Sequence, residues 1–216
     1  MMNVLFPRLH KEGYRFLAIA GVTTFILLLI SNLLGIISFI LTVWIYYFFR
    51  DPDRFPIGDE NYLLSPADGV ISQIIETNGP KELGLGEKKY TRVSIFMNVF
   101  DCHVNRVPIS GSVAEILYKP GSYINASLDK ASEENERNYI KIKNLNGEEL
   151  ILVQIAGLIA RRIVCDVKKN QQFKQGERFG IIRFGSRVDL YFENYKILVN
   201  KNQKTVAGET LLAKKN

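Results

Sequence analysis

The chain has 216 residues, room for one or two domains, and a formal net charge of +6. Its basic residues are interleaved with acids and form no arginine-rich stripe with stacking aromatics, which argues against nucleic acid as a partner. Two cysteines, Cys102 and Cys165, with a single histidine beyond the N-terminal region and no CxxC pair, exclude a disulfide framework and a structural zinc site and fit a reducing compartment.

From Phe16 through Phe49 there is no charged residue, a run of 34 positions. As one straight helix it would measure about 51 Å, well beyond the roughly 30 Å of a hydrocarbon core. Ser31, Asn32 and Gly35 interrupt it near the middle, so the expectation is a helical hairpin, Phe16 to Ile30 and Leu33 to Phe49, each half short for a full span. Arg8, Lys11 and Arg15 precede the pair, and Arg50 and Arg54 follow it. By the positive-inside tendency both ends then lie in the cytoplasm. A cleaved signal peptide fits less well, because the apolar region is too long and no small-residue cleavage site follows it. Trp44, Tyr46 and Tyr47 suit an interfacial belt, and the adjoining positive charge suits an anionic bilayer surface.

Residues 1–15 thus read as a cytoplasmic segment, 16–49 as the membrane pair and 50–61, rich in Pro, Gly and charge, as a linker. The remainder, 62–216, reads as one mainly β (α+β) soluble domain with antiparallel sheets. Strand patterns run over Gly69 to Glu76, Tyr90 to Met97, Ser112 to Tyr118, Tyr139 to Lys143 and Glu149 to Ala156. NLNGEE at 144–149 is a hairpin signal, with Asn146 and Gly147 suited to positive φ. Leu158 to Val164 reads as a helix, and Ser127 to Arg137 as a polar insertion or lid. Gly180 to Phe184, Arg187 to Phe192 and Thr210 to Leu212 complete the strands.

Within FGSRVDLYF, residues 184–192, a Gly-Ser pair interrupts a strand-forming run. A β-bulge or tight turn is the plainer explanation. The chemical one is that Ser186 attacks the carbonyl of Gly185, turning an amide into an ester. Elimination then leaves dehydroalanine, which hydrolyses to a pyruvoyl cap and ammonia. Glycine suits the upstream position because a Cβ would crowd the approach.

GERFGIIRFGSRVDLYF at 176–192, SPADGVIS at 65–72, NVFDCHVNRVPISG at 98–111 and GSYINASLDKASEENERN at 121–138 together resemble the phosphatidylserine decarboxylase proenzymes of the short bacterial type. The resemblance is collinear and covers essentially the whole chain. It implies a pyruvoyl cofactor made from Ser186, self-cleavage between Gly185 and Ser186 into chains 1–185 and 186–216 that stay associated, and a Schiff base with the serine amine of a phospholipid. It also implies a homodimer on the cytoplasmic side of a bacterial inner membrane.

His103 is the candidate proton donor, since imidazole titrates near neutral pH and the resemblance aligns it with a catalytic histidine. Asp68, in the SPADG turn, and Asp101, two residues before His103, are candidates to assist the self-cleavage. Longer members carry a second histidine where this chain has Arg106, so no triad follows. Arg137, Arg161, Arg162 and Arg183 are cationic candidates for the lipid's phosphate or carboxylate, and no metal ligand set is expected. Rival readings are a decarboxylase of archaeal ether-linked serine lipids, a non-catalytic membrane-tethered adaptor or carrier, and a hydrolase built from Ser186, His103 and Asp68.

Overall fold

The uncharged stretch folds as two helices, Tyr14–Ile30 and Asn32–Phe48, separated by Ser31 in an extended conformation. The structure, a computed structural model, describes residues 6–124, 126, 134–157, 162–183 and 186–216. These fall into two units, Met1–Asp53 with Phe100–Cys102, and Arg54–Val99 with His103–Asn216.

In the first unit the helices close through small and hydroxyl side chains. A Cβ on Gly35 would lie 2.9 Å from the Leu28 Cα, so the close approach near the turn depends on that glycine. Thr24 Oγ1 lies 2.8 Å from both Ser38 Oγ and Thr42 Oγ1. Phe25, Leu29, Leu33 and Phe39 instead point outward. Polar atoms inside and apolar ones outside invert the pattern of a water-soluble helix pair. Lys11–Ile30 is long and apolar enough to cross a membrane. At the open end Arg8–Leu9 (β1) pairs antiparallel with Arg50–Asp51 (β2), so both chain ends emerge together, as a hairpin requires. Cys102 Sγ donates to Arg50 O at 3.2 Å and is a packed residue of this unit.

The second unit is built of antiparallel sheets. Its strands are β3 (Tyr62–Leu64), β4 (Gly69–Asn78), β5 (Lys89–Met97), β6 (Val104–Arg106), β7 (Gly111–Lys119), β8 (Arg137–Asn144) and β9 (Glu149–Ile155). They continue as β10 (Ile163–Cys165), β11 (Gln172–Phe173), β12 (Arg178–Ile182), β13 (Ser186–Phe192), β14 (Tyr195–Ile197), β15 (Lys204–Thr205) and β16 (Leu211–Lys215). Eight form one sheet in the order β11-β7-β8-β9-β13-β5-β4-β15, and two three-stranded sheets, β10-β12-β6 and β14-β16-β3, accompany it.

Strand β13 is central, hydrogen-bonded to β5 on one side and β9 on the other, and every one of its residues is buried. Val188, Leu190 and Phe192 join the main core with Val93, Ile95, Met97, Leu150 and Leu152. Tyr191 lies in a second cluster with Tyr90, Tyr139, Ile151, Val153 and Ile155, on the opposite face.

The mainly β, antiparallel expectation holds, and the hairpin at 144–149 forms with Gly147 at φ 82°. Asn146 does not take positive φ. Asn144 Oδ1 instead accepts from the Asn146 and Glu148 amides, a side-chain turn that relieves position 146 of that need. The expected helix over Leu158 to Val164 is also corrected: Ile163 and Val164 belong to β10, paired with β12, where β-branched residues gain cross-strand partners. Leu158 to Arg161, and 127–133 of the predicted insertion, lie outside the described residues.

Candidate active site

Ser186 opens β13, opposite Met97 of β5, and is wholly buried. Its Oγ has no hydrogen-bond partner among the described residues. A buried hydroxyl left so costs about 1–3 kcal/mol, which a site tolerates when the atom has another use. Gly185, the other half of the predicted scissile bond, lies outside the described residues. From Arg187 onward β13 is bonded on both sides, Arg187 pairing with Phe96 and with Ile155, so the strand stays anchored if the chain ends at Ser186. A buried hydroxyl with no hydrogen-bond partner among the described residues, on a strand anchored from both sides, suits a group generated from the serine itself.

A row of buried amides, not singled out from the sequence, runs through the core of this unit. Asn105 Nδ2 contacts Met97 Sδ at 3.6 Å, Gln154 Nε2 donates to Asn105 Oδ1 at 2.9 Å, and Asn138 Nδ2 donates to Gln154 Oε1 at 3.0 Å. Met97 is the cross-strand neighbour of Ser186, and Gln154 that of Val188. The signal was there in the alternation, because Asn138 and Gln154 stand in phase with the apolar Ile140 and Leu152. Gly180 makes room for the row: a Cβ there would lie 3.1 Å from Gln154 Nε2 and 2.2 Å from Val164 O.

His103 is fully buried and immediately precedes β6. Val104 of β6 pairs with Ile181 of β12, which ends at Ile182, four positions before Ser186. His103 thus stands at the start of β6 beside the end of β12 in the three-stranded sheet, while Ser186, four positions after Ile182, opens β13 of the eight-stranded sheet.

Asp68 is placed differently. Val70 pairs with Phe96 on the side of β5 away from β13, so the turn that holds Asp68 leads into a strand separated from β13 by β5. Its Oδ2 accepts from Arg54 Nη2 at 2.7 Å and its Oδ1 from the Ala207 amide at 2.8 Å. The next residue, Gly69, has φ 147°, and a Cβ there would fall 2.2 Å from Phe96 O. Gly69→Ala should destabilise the domain by about 1–3 kcal/mol or more, read as a lowered unfolding midpoint. Asp101 falls in the first unit, where Arg50 Nη2 donates to the neighbouring Phe100 O at 3.0 Å. Arg106, in place of a second histidine, is buried and donates to Gly176 O at 2.9 Å.

Of the cationic candidates, Arg161 lies outside the described residues, Arg162 is exposed and Arg137 stands 3.4 Å from Glu82. A cation not singled out from the sequence, Arg187, is the largest fully buried side chain. Its Nε and Nη2 donate to the two oxygens of Asp189 at 2.9 and 3.0 Å, and Nη1 donates to Ala126 O at 3.3 Å. It thus ties the strand that opens with Ser186 to the 121–138 motif. Arg187→Met should cost about 3–5 kcal/mol, because Asp189 is left buried without its bidentate partner. Arg187→Met with Asp189→Leu should recover most of that in denaturant unfolding.

The phosphatidylserine decarboxylase family model matches residues 41–213. A phosphatidylserine decarboxylase proenzyme of Pelagibacter ubique is 65% identical over 215 residues, covering 100% of both chains. Proenzymes of the same name from Cereibacter sphaeroides and Rickettsia typhi are 52% and 51% identical, over 99% and 98% of this chain and 92% of each relative. With its four motifs in order and this likeness along its whole length, the chain belongs to the phosphatidylserine decarboxylase family.

Proposed function

We propose that the chain is a membrane-anchored precursor that cuts itself between Gly185 and Ser186 and then decarboxylates phosphatidylserine to phosphatidylethanolamine and carbon dioxide. The observation that carries the self-cleavage is the buried Ser186 Oγ, without a hydrogen-bond partner among the described residues, at the head of a strand bonded on both sides. Family membership carries the substrate class.

In this reading Ser186 Oγ attacks the Gly185 carbonyl, elimination from the resulting ester releases the Gly185 carboxylate, and one water hydrolyses the dehydroalanine left at 186 to the pyruvoyl group and ammonia. Once formed, the pyruvoyl group supplies a conjugated carbonyl that accepts the electrons released as carbon dioxide leaves. His103 returns a proton to the substrate's α-carbon. The amide row of Asn105, Gln154 and Asn138 is neutral, so it holds the strand ends in register without placing a competing charge beside the departing carboxylate. Asp68 and Asp101 remain the carboxylates proposed to assist the cut.

The helical hairpin holds the enzyme at the bacterial inner membrane, with its flanking cations on the cytoplasmic side. A diacyl substrate is essentially never free in water, so anchoring removes a search through bulk solvent. The two product chains stay associated through β13, and two copies form a homodimer.

Intact mass spectrometry tests the reading. Purified protein should yield a chain of residues 186–216 carrying an N-terminal pyruvoyl mass, and borohydride with phosphatidylserine should trap a covalent substrate adduct. A single full-length species from an active preparation would instead favour the serine hydrolase, and one from an inactive preparation the adaptor.

A further inference from the structure

On the face of the large sheet opposite Ser186 there is a cavity of about 360 Å³, floored by β7, β8, β9, β13 and β5 and walled by residues 77–82. Side chains 186 and 187 point to opposite faces, and the cavity lies on the side of Arg187, Asp189 and Tyr191. A ligand here is separated from Ser186 by the sheet itself.

The cavity's charge is unbalanced. Lys81, Arg92, Lys119 and Arg137 line it, with Glu82 and Asp189 as its carboxylates. Both oxygens of Asp189 are engaged by Arg187 from the same face, with Arg92 Nε 3.9 Å away and Arg92 Nη2 donating to Gln73 Oε1 at 2.7 Å. Glu82 is shared between Lys119 Nζ at 2.8 Å and Arg137 Nη2 at 3.4 Å. Burial alone would raise the Glu82 carboxyl, but the Lys119 hydrogen bond and the nearby Arg137 bring it below its ordinary value, so it stays charged and is already committed. Arg92 and Arg137 hold their guanidinium groups with side chains only 11% and 5% exposed. Burial pushes the phenols of Tyr139 and Tyr191 up, so both stay protonated. Four cations against two shared carboxylates among the described lining residues, two neutral phenols and a volume at the small end of ligand sites describe a receptor for a compact oxyanion.

We infer that this cavity is a second, non-catalytic anion site, which takes a phosphate group carried by a lipid headgroup or by a soluble phosphate ester. The inference does not depend on the chemistry assigned to Ser186. Because Arg92 and Arg187 share Asp189, the bound anion would lean on the same pair that anchors the strand opening with Ser186.

The test is the unfolding midpoint of the full chain, in neutral detergent titrated with inorganic phosphate, and in phosphatidylcholine nanodiscs with and without phosphatidylglycerol. Saturable stabilisation by phosphate or by phosphatidylglycerol is expected. The response should shrink at least fivefold in Lys119→Gln, whose side chain is 45% exposed and safe to change, and in Arg92→Gln. It should be unaltered in Lys201→Gln, a lysine outside the cavity. A response to phosphate alone identifies a soluble ester, and one to phosphatidylglycerol alone a headgroup. Absence of saturable stabilisation by either probe, or an equal response in Lys119→Gln and wild type, overturns the inference.

Discussion

Ser186→Ala is expected to leave a single full-length chain with no measurable decarboxylation, and a protein at least as stable as the parent. The two halves of that result come from one observation. Ser186 Oγ is buried with no hydrogen-bond partner among the described residues, so deleting it removes an unshared polar atom from an apolar setting. That should be neutral or stabilising by up to about 1–2 kcal/mol. A structural serine would show the reverse, losing stability with its hydrogen bonds. Activity should fall to background, because without the hydroxyl neither the cut nor the electron-accepting group can form. Gel mobility, intact mass and denaturant unfolding on one preparation read all three consequences. A Ser186→Ala chain that is still cut, or still turns over phosphatidylserine, would refute the self-processing scheme.

The same serine shows what sequence could and could not reveal. The alternation of Val188, Leu190 and Phe192 marks a strand with one face in the core, and that is how β13 folds. The run also holds Arg187 and Asp189, which by composition read as a solvent-facing edge. They are buried because the two charges, on one face of the same strand, satisfy each other in a bidentate pair, while the burial itself comes with the rest of the fold. The helical hairpin was legible because its period-free apolar run and its Ser31 break are local properties. Short strands such as β6, β10 and β15 were not, since two or three residues carry too little pattern and pair only when a distant strand is in place. Of the proposed site, Ser186 and His103 were singled out through motif context. Of the amide row, Asn138 and Gln154 were marked by their phase in the β8–β9 hairpin, but their junction with Asn105 was not, because β6 lies far from that hairpin in the chain.

His103→Gln should lower decarboxylation by roughly 10²- to 10⁴-fold, the usual worth of a positioned proton donor. Glutamine is the informative replacement because His103 is fully buried, and alanine would add a cavity to whatever chemistry is lost. The unfolding midpoint should then change little while turnover collapses. Mass spectrometry of the same sample separates the two steps. A fully cut but slow enzyme assigns His103 to the decarboxylation alone and leaves the cut to another group. An uncut chain assigns it to the self-cleavage, which Arg106 in the second-histidine position makes a real alternative, since a guanidinium donating to Gly176 O cannot serve as a base. Asp68→Asn completes the comparison. Its oxygens receive Arg54 and the Ala207 amide, so a loss of cutting that tracks a fall in unfolding midpoint marks it as a scaffold for the Gly69 turn. Lost cutting at unchanged stability marks it as a participant. Wild-type turnover in a processed His103→Gln enzyme would remove the histidine from the site.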